Sequence, residues 1–249
     1  MYFASFQLFS CVHSFQWLSL QIYIYFYKEM DDKVVLYHVP LFRSSRALWM
    51  FYELKELYGN RIPDIDVLEL DPTTFRTCKP AELLKHNPNG KVPTMIHKDI
   101  VMWDSCAICL YFLDVFDLDN ILAPKDPVFR AKLYKLMFYI SGTVDDLTAT
   151  SSPVQMVLEN KKPGEEIEVV AANKKAYQTL VGPLLAKELG HGPWMFGQQF
   201  TALDVVFGYN MWCIFDKRNW YEQELDCLKQ YHEKLISEKP LFVKFCKTS

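Results

Sequence analysis

The chain has 249 residues, of which 50% are hydrophobic and 23% are charged, a composition that excludes a disordered protein and is sufficient for two domains. Its formal net charge is -3. There is thus no basic excess to neutralise phosphates, and we expect no nucleic-acid partner. The 7 cysteines are scattered along the chain, which argues against a disulfide framework and favours a reducing, cytoplasmic location.

The first 29 residues form an apolar extension. Residues 1–27 contain no Asp, Glu, Lys or Arg and are rich in Phe, Tyr and Leu, so a membrane anchor has to be considered. However, Gln7, Gln16 and Gln21 interrupt the apolar run, and no basic segment precedes it. The alternatives are a natural start at Met30, an anchor, a targeting segment, or a terminal helix packed on the body. We expect a membrane partner only if the extension is translated and acts as an anchor.

The hydrophobic pattern between residues 34 and 116 predicts the element order β-α-β-α-β-β-α. The predicted elements are strand Val34–His38, helix Arg43–Leu57, strand Ile65–Leu70, short helix Pro80–Lys85, strands Thr94–His97 and Ile100–Trp103, and helix Asp104–Phe116. A parallel crossover needs a helix and a hairpin does not, so this order predicts a mixed four-stranded sheet with helices on its faces. We therefore expect residues 30–117 to form an α/β domain of thioredoxin type.

The remainder of the chain is predicted to be helical. Residues 118–127 are rich in Asp, Asn, Ala and Pro, which is typical of a linker between domains. Apolar residues then recur at helical spacing in residues 128–147, 165–189, 202–215, 222–237 and a short terminal segment. Thr201 and Asp204 are spaced as a capping box at the start of one of these helices. Residues 128–249 are thus predicted to be an all-α C-terminal helical-bundle domain.

Several segments resemble, in order and spacing, those of the cytosolic glutathione S-transferases. These segments are Leu36–Pro40, Arg46–Trp49, Asn87–Pro93, Asp104–Ile108 and Phe200–Asp204. The resemblance covers roughly residues 34–240. It implies glutathione as co-substrate, a small apolar electrophile as second substrate, a homodimer and no metal.

The resemblance also implies how glutathione is held. Lys91 is expected to reach the glycyl carboxylate, and a cis Val92–Pro93 bond to present the Val92 backbone to the cysteinyl residue as an added strand would. Asp104 is expected to take the γ-glutamyl ammonium, and Ser105, at a helix start, the neighbouring carboxylate. From the residues alone, a trans Val92–Pro93 bond and an Asp104 that only caps the helix are the alternatives.

A group that stabilises the thiolate is also needed, because the thiolate is the nucleophile and a free thiol titrates near ~8.5. Here the chain departs from the family pattern: Phe42 stands where serine-type members have serine, and His38 where tyrosine-type members have tyrosine. Ser44, Tyr37 and Ser45 are the catalytic candidates, although each serine is also a typical helix-start residue. Backbone amides at the helix N-terminus are a further alternative.

Two other patterns have structural interpretations. Cys106 and Cys109 match C-x-x-C, but they follow the start of the third helix rather than the first, so we expect core packing, without redox chemistry or metal binding. Tyr134, Phe138 and Tyr139 fall at helical spacing and, by resemblance, line the electrophile pocket. Most such stripes belong to a core.

The sequence leaves two functional hypotheses from different classes. The first is an enzyme that adds the glutathione thiolate to small apolar electrophiles, a transferase of the detoxification type. The alternative is a non-catalytic binding or protein-interaction module on the same fold, favoured by the missing hydroxyls at Phe42 and His38. A thiol-disulfide reductase requires a cysteine near residue 42, and there is none.

Overall fold

A computed structural model describes residues 32–148, 166–220 and 225–247. The apolar extension of residues 1–29, for which a membrane anchor was one alternative, lies outside these ranges. Among the helices within them, none is both long and apolar enough to cross a bilayer.

The N-terminal half contains the predicted mixed sheet. Its strands are β1 (Val34–His38), β2 (Ile65–Glu69), β3 (Thr94–His97) and β4 (Ile100–Trp103), in the spatial order β2-β1-β3-β4. β1 is parallel to β2 and antiparallel to β3, which pairs with β4 as a hairpin. Side chains alternate across a strand, so Val34 and Leu36 of β1 enter the main core while Tyr37 enters a smaller apolar cluster on the other face.

Four helices cover this sheet: α1 (Ser44–Tyr58), α2 (Pro72–Thr77), α3 (Ala81–His86) and α4 (Ser105–Phe116). α1 and α4 pack together on one face, where the Phe51 and Phe112 ring centroids are 5.2 Å apart. Helix α2 was not predicted, although its start carries a recognisable signal. Asp71 accepts hydrogen bonds from the first backbone N–H groups of α2, and Pro72 occupies the first helical position.

The C-terminal half is helical in its described part, as predicted. Its helices are α5 (Pro127–Tyr139), α6 (Asp145–Thr148), α7 (Glu166–Ala176), α8 (Gly182–Leu189), α9 (Ala202–Trp212), α10 (Asp226–Glu238) and α11 (Pro240–Cys246). Wider π-helical turns join α5 to α6 and α7 to α8, and extend α9 over Cys213–Lys217. The capping box at Thr201 and Asp204 is confirmed, and α9 is buried along its whole length.

Residues 118–126 lie within the predicted linker and contain neither helix nor strand. Hydrogen bonds to Asp117 fix the backbone at the start of this segment. The Asp117 carboxylate accepts a hydrogen bond from the Tyr58 hydroxyl at 2.7 Å and from the backbone N–H groups of Ile121 and Ala123 at 2.9 and 2.7 Å. One buried carboxylate therefore fixes the path from the end of α4 towards α5.

The two halves share one apolar core along α1, α9 and α11. The ring centroids of Trp49 in α1 and Phe242 in α11 are 5.2 Å apart. Gly208 in α9 faces the same indole, and a Cβ atom there would lie 2.8 Å from a Trp49 ring carbon. A side chain at position 208 would push α1 away from α9, so this glycine allows the close contact between the halves.

Candidate functional site

The strand register brings three segments to one end of the sheet. Thr94 is opposite both Tyr37 of β1 and Trp103 of β4. The segment that leaves β1, the Val92–Pro93 pair that enters β3, and Asp104 that follows β4 must therefore meet at this end. The Val92–Pro93 peptide bond is cis, as the resemblance implied.

Asp104 combines an unusual backbone with a free carboxylate oxygen. Its φ of 76° and ψ of 124° lie in a region that residues other than glycine rarely adopt. Its Oδ1 accepts hydrogen bonds from the N–H groups of Cys106 at 2.9 Å and Ala107 at 3.2 Å. Asp104 therefore caps α4. Oδ2 is bonded to no described residue and Asp104 is exposed, so the carboxylate can also bind a cation.

The loop before β3 is held in place by a buried amide. The side chain of Asn87 donates a hydrogen bond to the Lys91 C=O at 3.2 Å, and the Thr94 hydroxyl donates to the same oxygen at 2.8 Å. Within the described ranges, the N–H and C=O of Val92 form no hydrogen bond. An extended ligand backbone can therefore pair with Val92, while the exposed Lys91 side chain stands next to it.

Ser105 contacts a buried ion pair that connects the two halves. The Ser105 hydroxyl accepts a hydrogen bond from Arg46 Nη1 at 2.8 Å. Arg46 also donates to both carboxylate oxygens of Asp145, at 3.0 and 2.8 Å, and the Asn210 amide donates to Asp145 Oδ1 at 2.9 Å. Burial raises the pKa of Asp145, but the charge and hydrogen bonds of Arg46 outweigh burial and hold it below its usual range.

The sequence did not identify this network. Arg46 belonged to a recognised segment, but Asp145 is 99 residues away and Asn210 is 164 residues away. The only available signal was a charged residue within the apolar pattern of α1. The network gives Ser105 a fixed position and leaves the hydroxyl proton unused by any described acceptor.

Comparisons with known proteins agree with this geometry. The family profile for the glutathione S-transferase N-terminal domain matches residues 44–115. Glutathione S-transferase 1 of Manduca sexta is 27% identical over 173 residues, which cover 69% of this chain and 73% of the relative. Glutathione S-transferase D7 of Drosophila melanogaster is 29% identical over 174 residues, or 69% and 70% of the two chains. The chain thus resembles the glutathione S-transferases, with the match to the family profile confined to residues 44–115.

Solved structures of glutathione transferases share the fold. A Sulfitobacter glutathione transferase homologue, solved with bound glutathione, gives a TM-score of 0.69 at 17% identity, covering 86% of this chain and 96% of its own. An epsilon-class glutathione S-transferase from the housefly, Musca domestica, gives a TM-score of 0.63 at 21% identity, with 85% and 90% covered. The likeness extends through both halves of the chain.

Among the candidate thiolate stabilisers, the Ser44 hydroxyl already has hydrogen-bond partners within the protein. Its hydroxyl is buried, accepts a hydrogen bond from the Val39 N–H at 3.1 Å and lies 3.0 Å from the Val39 C=O and 2.9 Å from His38 Nδ1. Burial lowers the pKa of His38 to about 4, so the ring is neutral near pH 7. The single hydroxyl proton of Ser44 is therefore used for a hydrogen bond within the turn between β1 and α1. This geometry does not support a hydrogen bond from Ser44 to a thiolate.

Tyr37 and Ser45 are also enclosed. Tyr37 points into the cluster with Phe75 and Leu83, on the α2 and α3 face, where burial and the nearby Glu82 raise its pKa. A raised pKa weakens a phenol as a donor to a thiolate. The Ser45 hydroxyl is fully buried and has no partner among the described residues. The Ser45 hydroxyl is therefore unused by any described partner, but protein surrounds it.

The backbone at the start of α1 remains as a donor. The N–H groups of Arg43 and Ser44 reach no described acceptor, as is usual for the first turn of a helix. Phe42, at the position of the family serine, is half-buried against Phe75, with ring centroids 6.1 Å apart. The first turn of α1 therefore offers amide donors beside an apolar side chain.

The two serines give a first prediction. Ser44→Ala leaves the Val39 N–H without its partner and should lower the free energy of unfolding by about 1–3 kcal/mol. Ser45→Ala removes a buried hydroxyl that has no partner, so stability should stay unchanged or rise by up to about 1 kcal/mol. Urea unfolding of both variants checks this, and each is the control for the other because the same atom is removed. Equal losses would contradict the hydrogen bonding described here.

The remaining predictions have mixed outcomes. Cys106 and Cys109 are buried free thiols, so the core interpretation is confirmed, and burial raises the pKa of Cys106 to about 11. Tyr134 and Phe138 are 44% and 68% exposed, so the core interpretation is wrong for both, while Tyr139 packs partly against the core. Within the described ranges, no group of three His, Cys, Asp or Glu side chains is arranged to hold a metal.

Proposed function

We propose that the chain conjugates glutathione to small electrophiles with an apolar reacting part. The observation that carries the proposal is the meeting of Val92–Pro93 and the Asp104–Ser105 helix start at one end of the sheet, beside the first turn of α1. The unpaired Val92 backbone suits the cysteinyl residue of glutathione, and Lys91 suits its glycyl carboxylate. At the γ-glutamyl end of glutathione, Asp104 Oδ2 suits the ammonium group and the Ser105 hydroxyl suits the carboxylate.

We infer from the same arrangement that the glutathione sulfur lies near α1. We assign stabilisation of the thiolate to the N–H groups of Arg43 and Ser44 together with the positive end of the helix dipole. The thiolate then attacks the electrophilic carbon and forms the carbon–sulfur bond. The thiol proton has already passed to solvent. Holding both reactants in one site contributes the orientation that the reaction lacks in solution.

Asp104→Asn tests the glutathione site. The amide oxygen can still cap α4, so stability should change little, but the charge that receives the ammonium is lost. A hydrogen bond between charged groups contributes about 1.5–3 kcal/mol, so the Kd for glutathione should rise about 10- to 100-fold. Asp99→Asn, an exposed carboxylate at the other end of the same hairpin, is the matched control.

Calorimetric titration and a conjugation assay with 1-chloro-2,4-dinitrobenzene are the two measurements. An unchanged Kd for Asp104→Asn would remove Asp104 from the site. Absence of both glutathione binding and conjugation in the parent chain would reject the proposed function.

A homodimer, a cytoplasmic location and a role in detoxification belong to the same proposal. The edge strand β4 supports the dimer, because Ile100, Val101 and Trp103 expose 36–48% of their surface there. Sedimentation of a single monomeric species at micromolar concentration would contradict the dimer.

A further inference from the structure

Three cationic side chains from three different elements converge beside the start of α1. Arg43 directly precedes α1, Arg76 lies in α2, and Lys217 lies in the turn that extends α9. The Arg76 guanidinium is 5.4 Å from the centroid of the Phe42 ring, next to Arg43 in the chain. We refer to Arg43, Arg76 and Lys217 as the cationic cluster.

Lys217 belongs to the helical half, but contacts across the domain boundary bring it to the same place. Its Nζ is 5.5 Å from the Trp212 ring centroid, and Trp212 in turn packs against Tyr209 with ring centroids 5.6 Å apart. The Tyr209 hydroxyl donates a hydrogen bond to the Leu41 C=O at 3.4 Å, in the loop that carries Phe42. Arg76 therefore contacts this loop at Phe42, and Lys217 is linked to it through Trp212 and Tyr209.

The electrostatics agree with these contacts. Desolvation lowers the pKa of Lys217, and the charges of Arg218, Arg76 and Arg43 lower it further, although the Cys213 thiol opposes them. An effect of Arg76 and Arg43 on Lys217 requires that both charges lie within a few ångströms to about 10 Å of its ammonium group.

The described carboxylates do not neutralise the cluster. None of them lies within 4.0 Å of Arg76 or Lys217, whereas Asp145 comes only to 4.0 Å from Arg43 and is already bound by Arg46 at 2.8 Å. Like charges held together without a counter-ion repel one another, and an anion bound between them relieves that repulsion. The cluster is thus a ready site for a negative group.

We propose that the cationic cluster binds an acidic group on the electrophile, so that the second substrate carries a carboxylate or similar anion beside its apolar reacting part. This inference rests on the proposed function. The carboxylates of glutathione itself have other partners in that proposal, Lys91 and Ser105. Phe42, which is half-buried and lies beneath the Arg76 guanidinium, offers the adjoining apolar surface.

A matched pair of electrophiles tests the cluster: 4-chloro-3,5-dinitrobenzoate and its methyl ester. In both, the thiolate attacks the carbon that bears chlorine, the carbon–sulfur bond forms, and chloride leaves with the electron pair. The carboxylate or ester group does not react. The two compounds differ in charge, and each is compared with itself across variants, so their intrinsic reactivities cancel.

The measured quantity is the ratio of kcat/KM for the benzoate to kcat/KM for the ester. In Arg76→Gln/Lys217→Gln this ratio should fall at least about tenfold, because two positive charges near the carboxylate are lost. Raising the salt concentration to about 0.5 M should lower the ratio for the parent chain and leave it nearly unchanged for the double variant. Lys187→Gln, an exposed lysine of α8, should leave the ratio at the parent value.

Binding of the two purified thioether products, measured by calorimetry, separates this inference from the proposed function. If the parent chain turns over neither electrophile but prefers the acidic product, and the double variant loses that preference, the proposed function fails and the cluster assignment stands. Equal effects of the double substitution on both products would overturn the assignment. A Kd for glutathione that rises about tenfold in the double variant would also overturn it, since the cluster would then hold glutathione.

Discussion

Replacing Arg46 by methionine is expected to lower the free energy of unfolding by about 3–5 kcal/mol, which is the usual cost of leaving one member of a buried ion pair alone. Arg46 and Asp145 are both fully buried, and their hydrogen bonds connect α1 of the sheet domain to α6 of the helical half. Without the guanidinium, Asp145 keeps the Asn210 amide at 2.9 Å and the distant Arg43. These contacts do not replace two short hydrogen bonds to a cation.

The decrease in unfolding free energy caused by Arg46→Met should depend on pH. In the parent chain the pKa of Asp145 is held below its usual range, so its stabilising contribution is present above about pH 4 and disappears as the pH falls through the lower folded value. In Arg46→Met the Asp145 carboxylate stays buried but has lost the neighbouring cation, so its pKa should rise. The difference in unfolding free energy between the two proteins should therefore be largest near pH 7 and smaller near pH 4.

Urea unfolding at both pH values measures this difference. Arg46→Met/Asp145→Leu is the control, because removing both charges also removes the uncompensated carboxylate. The double variant should recover at least about 1 kcal/mol relative to the single variant. A loss below about 1 kcal/mol for Arg46→Met at pH 7 would show that the ion pair does not hold the two halves together.

Replacing Asp204 by alanine is expected to cost about 3–6 kcal/mol. The buried Asp204 carboxylate accepts hydrogen bonds from the Met195 N–H at 2.7 Å, the Thr201 N–H at 2.8 Å and the Tyr231 hydroxyl at 2.9 Å. Each buried donor left without a partner costs about 1–3 kcal/mol, and part of the capping box is lost as well. The carboxylate holds together the start of α9, the loop before it and α10.

Thermal and urea unfolding measure the Asp204 effect. The Thr201 hydroxyl also donates to Asp204, at 3.1 Å. Tyr231→Phe therefore removes one of four donors and should cost only about 1 kcal/mol. In the double variant Asp204→Ala/Tyr231→Phe the two losses should be less than additive, because the orphaned hydroxyl is gone. Strict additivity would show that Tyr231 and Asp204 do not interact.

Local patterns in the sequence predicted the elements of the fold well. The strand Val34–His38, the hairpin around Lys98 and the capping box at Thr201 and Asp204 are all confirmed. Each depends on residues a few positions apart, where backbone geometry determines which side chains meet. Helix α2 was missed because its apolar periodicity rests on Phe75 alone, although Asp71 and Pro72 mark its start.

The site was only partly predictable. The positions of Val92–Pro93 and Asp104 follow from motif order and strand register, whereas the assignment of the serines does not. Ser44 and Ser45 are adjacent and chemically identical in the sequence. Only the folded turn brings three polar atoms to the Ser44 hydroxyl and leaves the Ser45 hydroxyl without a hydrogen-bond partner among the described residues. Arg46 and Asp145 meet through packing of the two halves, which no local pattern encodes.

The proton balance of glutathione binding shows whether this site holds glutathione as a thiolate. Glutathione is titrated into the full chain at pH 7 in buffers of different ionisation enthalpy. A free thiol with a pKa near ~8.5 is mostly protonated at this pH, so stabilisation of the thiolate should release close to one proton for each glutathione bound. Binding without proton release, or no binding, would show that the site does not stabilise the thiolate and would favour a non-catalytic module on the same fold.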